Sequence, residues 1–302
     1  MITLFKKKKI LKEIIFYINT IIKSIFLFLI IFITIIVIYN LKKNKPRHTK
    51  DIFSYHKIFI ESHRGVNTEV FQNTMEAFKK AIKYGADSIE TDVWLTKDNV
   101  LVLLHANSRE GSLTNYYDHP GKVINLTWDE LSTYRTIKDN LTMPRLNDLI
   151  KLAKEKNIYI DVEIKDNRIN KVFPHLVKLI EKFDFFDQIS LISPFFDYYN
   201  KILKYNRYHR KKLVFGFVYD RNTTNFDFTK KGNILSIHWE DATKEVCKRA
   251  HKNGMAIIAW IDISEKENFR MYKQLIENGV DVICCNAPNM ARDYLNYYYK
   301  YK

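Results

Sequence analysis

Ile158-Tyr159-Ile160-Asp161-Val162-Glu163-Ile164-Lys165 alternates without a break. Period two is the repeat of a β-strand, whose successive side chains point to opposite faces. One face (Ile158, Ile160, Val162, Ile164) is wholly apolar and suits a covering layer of helices. The other carries Asp161, Glu163 and Lys165. Helical spacing flanks the run on both sides, at Leu149, Leu152 and Ala153 before it and at Leu176, Leu179 and Ile180 after it. A strand between two amphipathic helices belongs to a parallel sheet buried on both faces, where strands read as nearly all apolar. Charge on one face of such a strand is out of place unless it has work to do.

The same grammar continues outward. Further strand-like runs lie at 58–62, 88–93, 100–105, 188–193, 213–218, 234–239, 255–261 and 281–285. Met75, Phe78, Ala81 and Ile82 mark another helix between the first two. Repetition of β-then-α on this scale predicts a (β/α)₈ barrel, an α/β fold that uses about 250 residues. Nine runs compete for eight places. The link between 88–93 and 100–105 is too short for a parallel crossover, which takes a dozen residues or more. One of those two runs is therefore a candidate hairpin strand outside the ring. Residues 106–144 carry no clear strand but several aromatic and polar residues, including Tyr116, Tyr117, His119, Trp128 and Tyr134. Excursions of this length are usually functional or form a subdomain.

The chain has 302 residues, 46% of them hydrophobic and 27% charged. That balance excludes a wholly disordered chain and a multi-pass membrane protein. The net charge of +15 is uneven: residues 1–50 hold eleven Lys or Arg and one acid, Glu13. The small surplus spread over the rest is no basic stripe, so nucleic acid is not an expected partner. The lysines flank an apolar run, Ser24-Ile-Phe-Leu-Phe-Leu-Ile-Ile-Phe-Ile-Thr-Ile-Ile-Val-Ile-Tyr39. With Ile21 and Ile22 it is long enough to cross a ~30 Å hydrocarbon core, Lys23 snorkelling to the headgroups. Residues 1–50 contain no Ala and no Gly, so the small-residue cleavage site of a signal peptide is missing. The expectation is a single-pass anchor over about 21–41 within an N-terminal segment 1–50, followed by the barrel over 51–302. Positive residues balance on the two sides (Lys6, Lys7, Lys8, Lys9 and Lys12 before; Lys42, Lys43, Lys45, Arg47 and Lys50 after). The short leading segment argues for a cytoplasmic N-terminus and an extracytoplasmic barrel. Cys247, Cys284 and Cys285 offer no disulfide framework.

Glu90 and Asp92 stand two apart in the run 88–93, hence on one face, as Asp161 and Glu163 do in theirs. Burying unpaired carboxylates costs several kcal/mol each unless a cation compensates. Acids at strand C-termini, where barrel enzymes keep their chemistry, therefore point to a divalent metal, and all-oxygen donors to Mg²⁺ or Ca²⁺. His63 and His105 end two runs and fit a general acid/base pair. Arg64 with Gly65 beside it lets a guanidinium and backbone amides approach a phosphate.

These residues fall into an ordered set: His63-Arg64-Gly65, Gln72-Asn73-Thr74-Met75-Glu76-Ala77-Phe78, Gly85 to Val93, Thr96 to His105, Met143-Pro144-Arg145-Leu146, Val162-Glu163-Ile164-Lys165, Ala259-Trp260, Gly279-Val280-Asp281 and Asn286-Ala287-Pro288. The set resembles the glycerophosphodiester phosphodiesterases and covers about residues 58–292. The resemblance implies a TIM barrel related to phosphoinositide phospholipase C, with 106–144 as an insertion after the strand bearing the second His. It implies that Glu90, Asp92 and Glu163 hold Ca²⁺ or Mg²⁺, and that His63 and His105 are the acid/base pair. Arg64 and Lys165 would neutralise phosphate oxygens, and Trp260 would line the pocket beside the glycerol. The implied reaction is hydrolysis of glycerophosphodiesters to glycerol 3-phosphate and an alcohol. A lysophospholipase D on the same scaffold, or a catalytically silent tethered binding protein, are the alternatives. Three positions depart from the family's usual pattern: Gln72 in place of Glu, Ala106 in place of Asp, and Asn286 in place of Asp.

Overall fold

Each of the nine strand-like runs becomes a strand. The computed structural model describes residues 17–35, 58–106, 110–228 and 232–301. The strands are β1 (Phe59–His63), β2 (Ser88–Leu95), β3 (Leu101–Leu103), β4 (Tyr159–Ile164), β5 (Ile189–Ser193), β6 (Val214–Val218), β7 (Ile234–His238), β8 (Ala256–Trp260) and β9 (Val282–Cys285). Eight of them pair in parallel in the order β1-β9-β8-β7-β6-β5-β4-β2, and β1 pairs with β2 to close the ring. The ninth, β3, pairs antiparallel with β2 (Val93 opposite Leu103, Leu95 opposite Leu101). It is the hairpin strand outside the barrel: a five-residue turn can reverse the chain but cannot carry it across a parallel crossover.

The helices are α1 (Tyr17–Ile35), α2 (Met75–Lys83), α3 (Trp128–Thr133), α4 (Leu146–Lys156), α5 (Ile169–Phe183), α6 (Asp197–Tyr208), α7 (Lys244–Lys252), α8 (Phe269–Asn278) and α9 (Pro288–Tyr301). Local chemistry sets their ends. Thr74, Thr243 and Asn268 cap α2, α7 and α8 by accepting from backbone N–H groups three residues on. Asn157, Asp184 and Gly279 end α4, α5 and α8 in the left-handed region.

The barrel separates its two strand faces. Outward residues such as Ile60, Ile89, Val162, Leu191, Phe215 and Ile283 pack under the helices in the main core. Inward residues are of two kinds. From β5 round to β9 they are largely apolar: Ile192, Val214, Ile234, Ile258 and Val282 form a lumenal cluster with Phe59. On β1, β2 and β4 they include Glu61, His63, Glu90, Asp92, Asp161 and Glu163, all buried. These three strands are neighbours in the ring, with His63 beside Glu90, Glu90 beside Asp161 and Asp92 beside Glu163. One side of the lumen is therefore charged and the other apolar.

The excursion after β3 has a small core of its own, in which Leu113, Tyr116, Tyr117, Val123, Leu131 and Met143 pack on Trp94 and Leu104. A Thr127–Glu130 capping box starts α3. This subdomain lies on the strand ends that carry the acids and brings Tyr116 to the barrel mouth.

The N-terminal helix α1 has 19 residues, a mean hydropathy of 2.4 and no buried residue. It spans about 28 Å at ~1.5 Å per residue, close to a hydrocarbon thickness. Its described part reaches back to Tyr17, ahead of the expected anchor, with Tyr17 and Ile18 adding exposed apolar surface on that side. Residues 36–41 of that expected span, and the lysine-rich flanks at 6–12 and 42–50, lie outside the described residues.

Candidate active site

Asp92 is the most completely buried of the site's charges. Burial alone raises a carboxyl's pKa, but here cations win: the Arg64 guanidinium first, then His105 and Lys165, with a hydrogen bond from Asn73, hold Asp92 well below the usual carboxylate range. Its Oδ2 sits 3.1 Å from Arg64 Nε and accepts from Asn73 Nδ2 at 2.9 Å, and its Oδ1 lies 3.5 Å from Lys165 Nζ. Asn73 adopts a positive φ of 54° and its Oδ1 accepts from the Thr91 hydroxyl at 2.6 Å. That side chain fixes Asp92 from outside the barrel, a role hidden in the sequence because residues 73 and 92 lie in different elements.

Glu90 and Glu163 face the same point. One ligand atom from each of Glu90, Asp92 and Glu163 lies within 4.8 Å of the other two. Glu90 Oε2 accepts from the Arg64 backbone N–H at 3.0 Å, while its Oε1 is buried with no hydrogen-bond partner. Burial, then repulsion from Asp92, raises its pKa well above the ordinary value. Burial also raises Glu163, against the pull of Lys165 at 2.6 Å. Three convergent carboxylates, each with a buried oxygen outside any hydrogen bond and that of Glu90 outside any ion pair too, form a donor set that fits a hard divalent cation. Asp161 does not join them. With Glu61 it sits further down the lumen, where Ser190 donates to Asp161 and Ser88 to Glu61 at 2.7 Å.

The two histidines stand at the mouth. His63 Nδ1 lies 2.8 Å from the Ile261 carbonyl oxygen. A carbonyl only accepts, so Nδ1 carries the proton and Nε2 is left basic. His105 Nδ1 meets the Tyr116 hydroxyl at 3.1 Å, so the insertion orients this ring. Burial pushes His63 down to about 3 and His105 down to about 4, Arg64 adding to both and Asp92 opposing.

Arg64 has φ of 60°, followed by Gly65 at 83°. A Cβ on Gly65 would lie 2.6 Å from Ala77 Cβ and 2.7 Å from its carbonyl carbon, so the loop after β1 can press on α2 only without a side chain there. Gln72 Oε1 accepts from Arg64 Nη1 at 2.9 Å and steadies the guanidinium without adding charge. Asn286 is structural: its Nδ2 donates to the Asp262 carbonyl at 3.0 Å and its Oδ1 accepts from Asn67 at 2.7 Å. Ala106 adopts a positive φ of 54° just past His105.

The eight expected site residues fall in two groups. His63, Arg64, Glu90, His105, Glu163, Lys165 and Trp260 line one cavity of about 420 Å³ at the strand C-termini, with Tyr116, and Asp92 lies buried behind them. Trp260 stands across from the acids, its indole packed edge-on against buried His238 at 4.8 Å. His238 Nε2 lies 3.3 Å from Glu265, which also accepts from Trp239 Nε1 at 2.6 Å. This histidine braces the cavity wall. His238, Glu240 and Glu265 form a second cluster of metal-ligand type, but its acids already face Arg221 at 2.6 and 3.2 Å.

Residues 63–290 match the family model described as the glycerophosphoryl diester phosphodiesterase family. A glycerophosphodiester phosphodiesterase of Caldanaerobacter subterraneus is 27% identical over 245 residues, covering 77% of this chain and 95% of that protein. A lysophospholipase D of Mus musculus is 31% identical over 130 residues, 39% of this chain and 40% of that protein. Among solved structures, an Oleispira antarctica phosphodiesterase in complex with the product sn-glycerol-3-phosphate superposes with a TM-score of 0.68 at 16% identity, covering 81% of this chain and 99% of that one. At that identity the likeness is one of fold.

Proposed function

The chain belongs to the glycerophosphoryl diester phosphodiesterase family, and from that premise we propose that it hydrolyses glycerophosphodiesters to glycerol 3-phosphate and an alcohol. The observation that carries the reading is the convergence of Glu90, Asp92 and Glu163 on one point, beside two histidines and two cations in a single cavity. Arg64 and Lys165 receive the phosphodiester anion, whose charge matches theirs once a cation has taken up the carboxylates. Glu90, Asp92 and Glu163 hold that cation, Ca²⁺ or Mg²⁺, which when bound supplies Lewis-acid polarisation of the phosphoryl group.

His63, with Nδ1 committed to Ile261, offers a neutral Nε2 as the general base toward a glycerol hydroxyl or water. His105, on the other side of the cavity, is then the partner that protonates the leaving alcohol. Its Nδ1 contact with Tyr116 fixes which nitrogen faces the ester. Trp260 and the apolar wall hold the organic part of the substrate. Gln72 keeps Arg64 in place, so the missing charge at that position leaves the phosphate clamp intact.

The apolar helix Tyr17–Ile35 and the relative named lysophospholipase D support a second reading, cleavage of headgroups from lysophospholipids by a barrel tethered to a membrane. We propose α1 as the anchor of a single-pass protein whose barrel follows from about residue 51 on the extracytoplasmic side. The test is release of glycerol 3-phosphate from glycerophosphocholine by the full chain in detergent. Mg²⁺ or Ca²⁺ should sustain it and EDTA should abolish it. Choline released from lysophosphatidylcholine but not from glycerophosphocholine transfers the assignment to the second reading, and no release from either overturns both.

A further inference from the structure

Below the strand ends the cavity continues down the lumen to Glu61, Ser236 and Cys284. Glu61 stands on β1 in register with Ser88 and Cys284, one inward position before His63. Asp161 stands on β4 in register with Glu90 and Ser190. These two carboxylates are 2% and 1% exposed, and the reaction described above uses neither. One oxygen of Glu61 accepts from the Ser88 hydroxyl at 2.7 Å, and one of Asp161 accepts from the Ser190 hydroxyl. The other oxygen of each, Oε1 of Glu61 and Oδ2 of Asp161, is buried with no hydrogen-bond partner. Among the described residues no Lys, Arg or His pairs with either acid, whereas Asp92 and Glu163 both face Lys165. The two acids also repel each other: after burial, the charge on Glu61 does most to raise Asp161.

Two buried carboxylates without a counter-charge are costly in any interior. A proton on either orphaned oxygen would be a donor with no acceptor in reach, so protonation there would move the deficit without removing it. A cation removes it, because it cancels the charge and takes the lone pairs of both orphaned oxygens. The donors are two carboxylates and the hydroxyls of Ser88 and Ser190, all oxygen, which suits a hard ion. The Cys284 thiol beside Glu61 is kept protonated by burial and adds no soft thiolate. Two negative charges call for a divalent ion, and the open cavity above Glu61 gives it a path inward. We propose that Glu61 and Asp161 hold a second hard divalent cation in the barrel lumen, below the one assigned to Glu90, Asp92 and Glu163. No residue of the phosphodiesterase reading takes part in this site, so either can fail without the other.

The test counts metal on the full-length protein in detergent, stripped with EDTA, moved to metal-free buffer and titrated with Mn²⁺. Mn²⁺ takes the same oxygen donors as Mg²⁺ and Ca²⁺, and electron paramagnetic resonance counts the ion left free. Wild type should bind two equivalents. Glu61→Gln/Asp161→Asn should bind one, and its amides keep the oxygens that accept from Ser88 and Ser190. Glu90→Gln/Glu163→Gln should lose the other equivalent and keep the lumenal one. The single variant Glu61→Gln serves if the lumenal pair does not fold, and should weaken its equivalent by roughly tenfold or more, the scale on which even outer partners of a metal act. One equivalent in wild type that survives in the lumenal variants and disappears in Glu90→Gln/Glu163→Gln overturns the proposal, the lumenal acids then carrying protons only. Two equivalents in wild type and unchanged in the lumenal variants overturn it as well. One equivalent with the opposite pattern upholds the proposal and takes the metal from the phosphodiesterase reading. No bound Mn²⁺ overturns both metal sites.

Discussion

Glu90→Gln should change stability in opposite directions with and without metal. Glutamine keeps the acceptor that receives the Arg64 N–H at 3.0 Å and replaces the orphaned Oε1 with a donor facing two carboxylates. Two full charges at the 4.8 Å bound of this cluster repel by about 3–4 kcal/mol at an effective dielectric of ~20. Arg64 and Lys165 offset part of this, and Glu90 escapes part by holding a proton. The net gain expected for the metal-free variant is therefore about 1–2 kcal/mol, or roughly 2–8 °C in Tm for a domain of this size. The pH dependence has a definite sign. Burial, then Asp92, raises Glu90 in the folded state, so its contribution is fully present below about 4.5 and is lost as pH rises through the raised value. Glu61, which burial pushes up to about 7, behaves the same way. Metal-free wild type should thus lose stability relative to the variant as pH rises above about 4.5, since the buried histidines and Glu61 contribute to both proteins alike. Metal reverses the ranking. At a hundred times Kd a ligand adds about 2.7 kcal/mol, roughly 5–11 °C here, and the variant lacks one of three carboxylate donors. Thermal melts in EDTA and in Mg²⁺ or Ca²⁺, at pH 5 and pH 8, read both effects. Equal stabilisation of wild type and Glu90→Gln by metal, or a metal-free variant less stable than wild type at pH 8, would refute the reasoning.

Other changes probe the remaining parts of the site. His63→Ala or His105→Ala should lower turnover at least ~10²-fold with the melting temperature little changed, and near-normal rates in either would remove the acid/base assignment. Tyr116→Phe deletes the hydroxyl on His105 Nδ1, and kcat should fall by about tenfold with KM held; an unaltered kcat would mean that the insertion does not orient this ring. Gly65→Ala forces a Cβ against Ala77 at a φ of 83° and should destabilise the barrel by about 2–4 kcal/mol, measured by urea unfolding. A loss below 0.5 kcal/mol would show that the loop after β1 relaxes freely.

Much of the site was legible because the side-chain repeat of a strand is local. Glu90 and Asp92 share a face whatever surrounds them, and so do Asp161 and Glu163. The split of that second pair was not legible. Both point into the lumen, yet Glu163 is level with Asp92 while Asp161 is level with Glu90 and turns to Ser190. Strand stagger, a property of the closed ring, decides which acid reaches the point on which Glu90, Asp92 and Glu163 converge. Tyr116, Asn73 and His238 escaped for a related reason. Each acts on a residue in another element (His105, Asp92 and Trp260), and nothing in the spacing of either partner foretells the contact.

What the amino-acid order decided alone is the set of elements: nine strands from short apolar and β-branched runs, the helices between them, and a short link that makes a hairpin of β2 and β3. Those are consequences of steric repeats and chain reach, which operate over a few residues. What only the tertiary structure decided is the company each side chain keeps. Closing eight strands sets β1, β2 and β4 side by side, so their charges collect on one side of the lumen and the apolar residues of β5 to β9 face them. That meeting depends on register and curvature summed over the whole ring, and no stretch of the chain contains it.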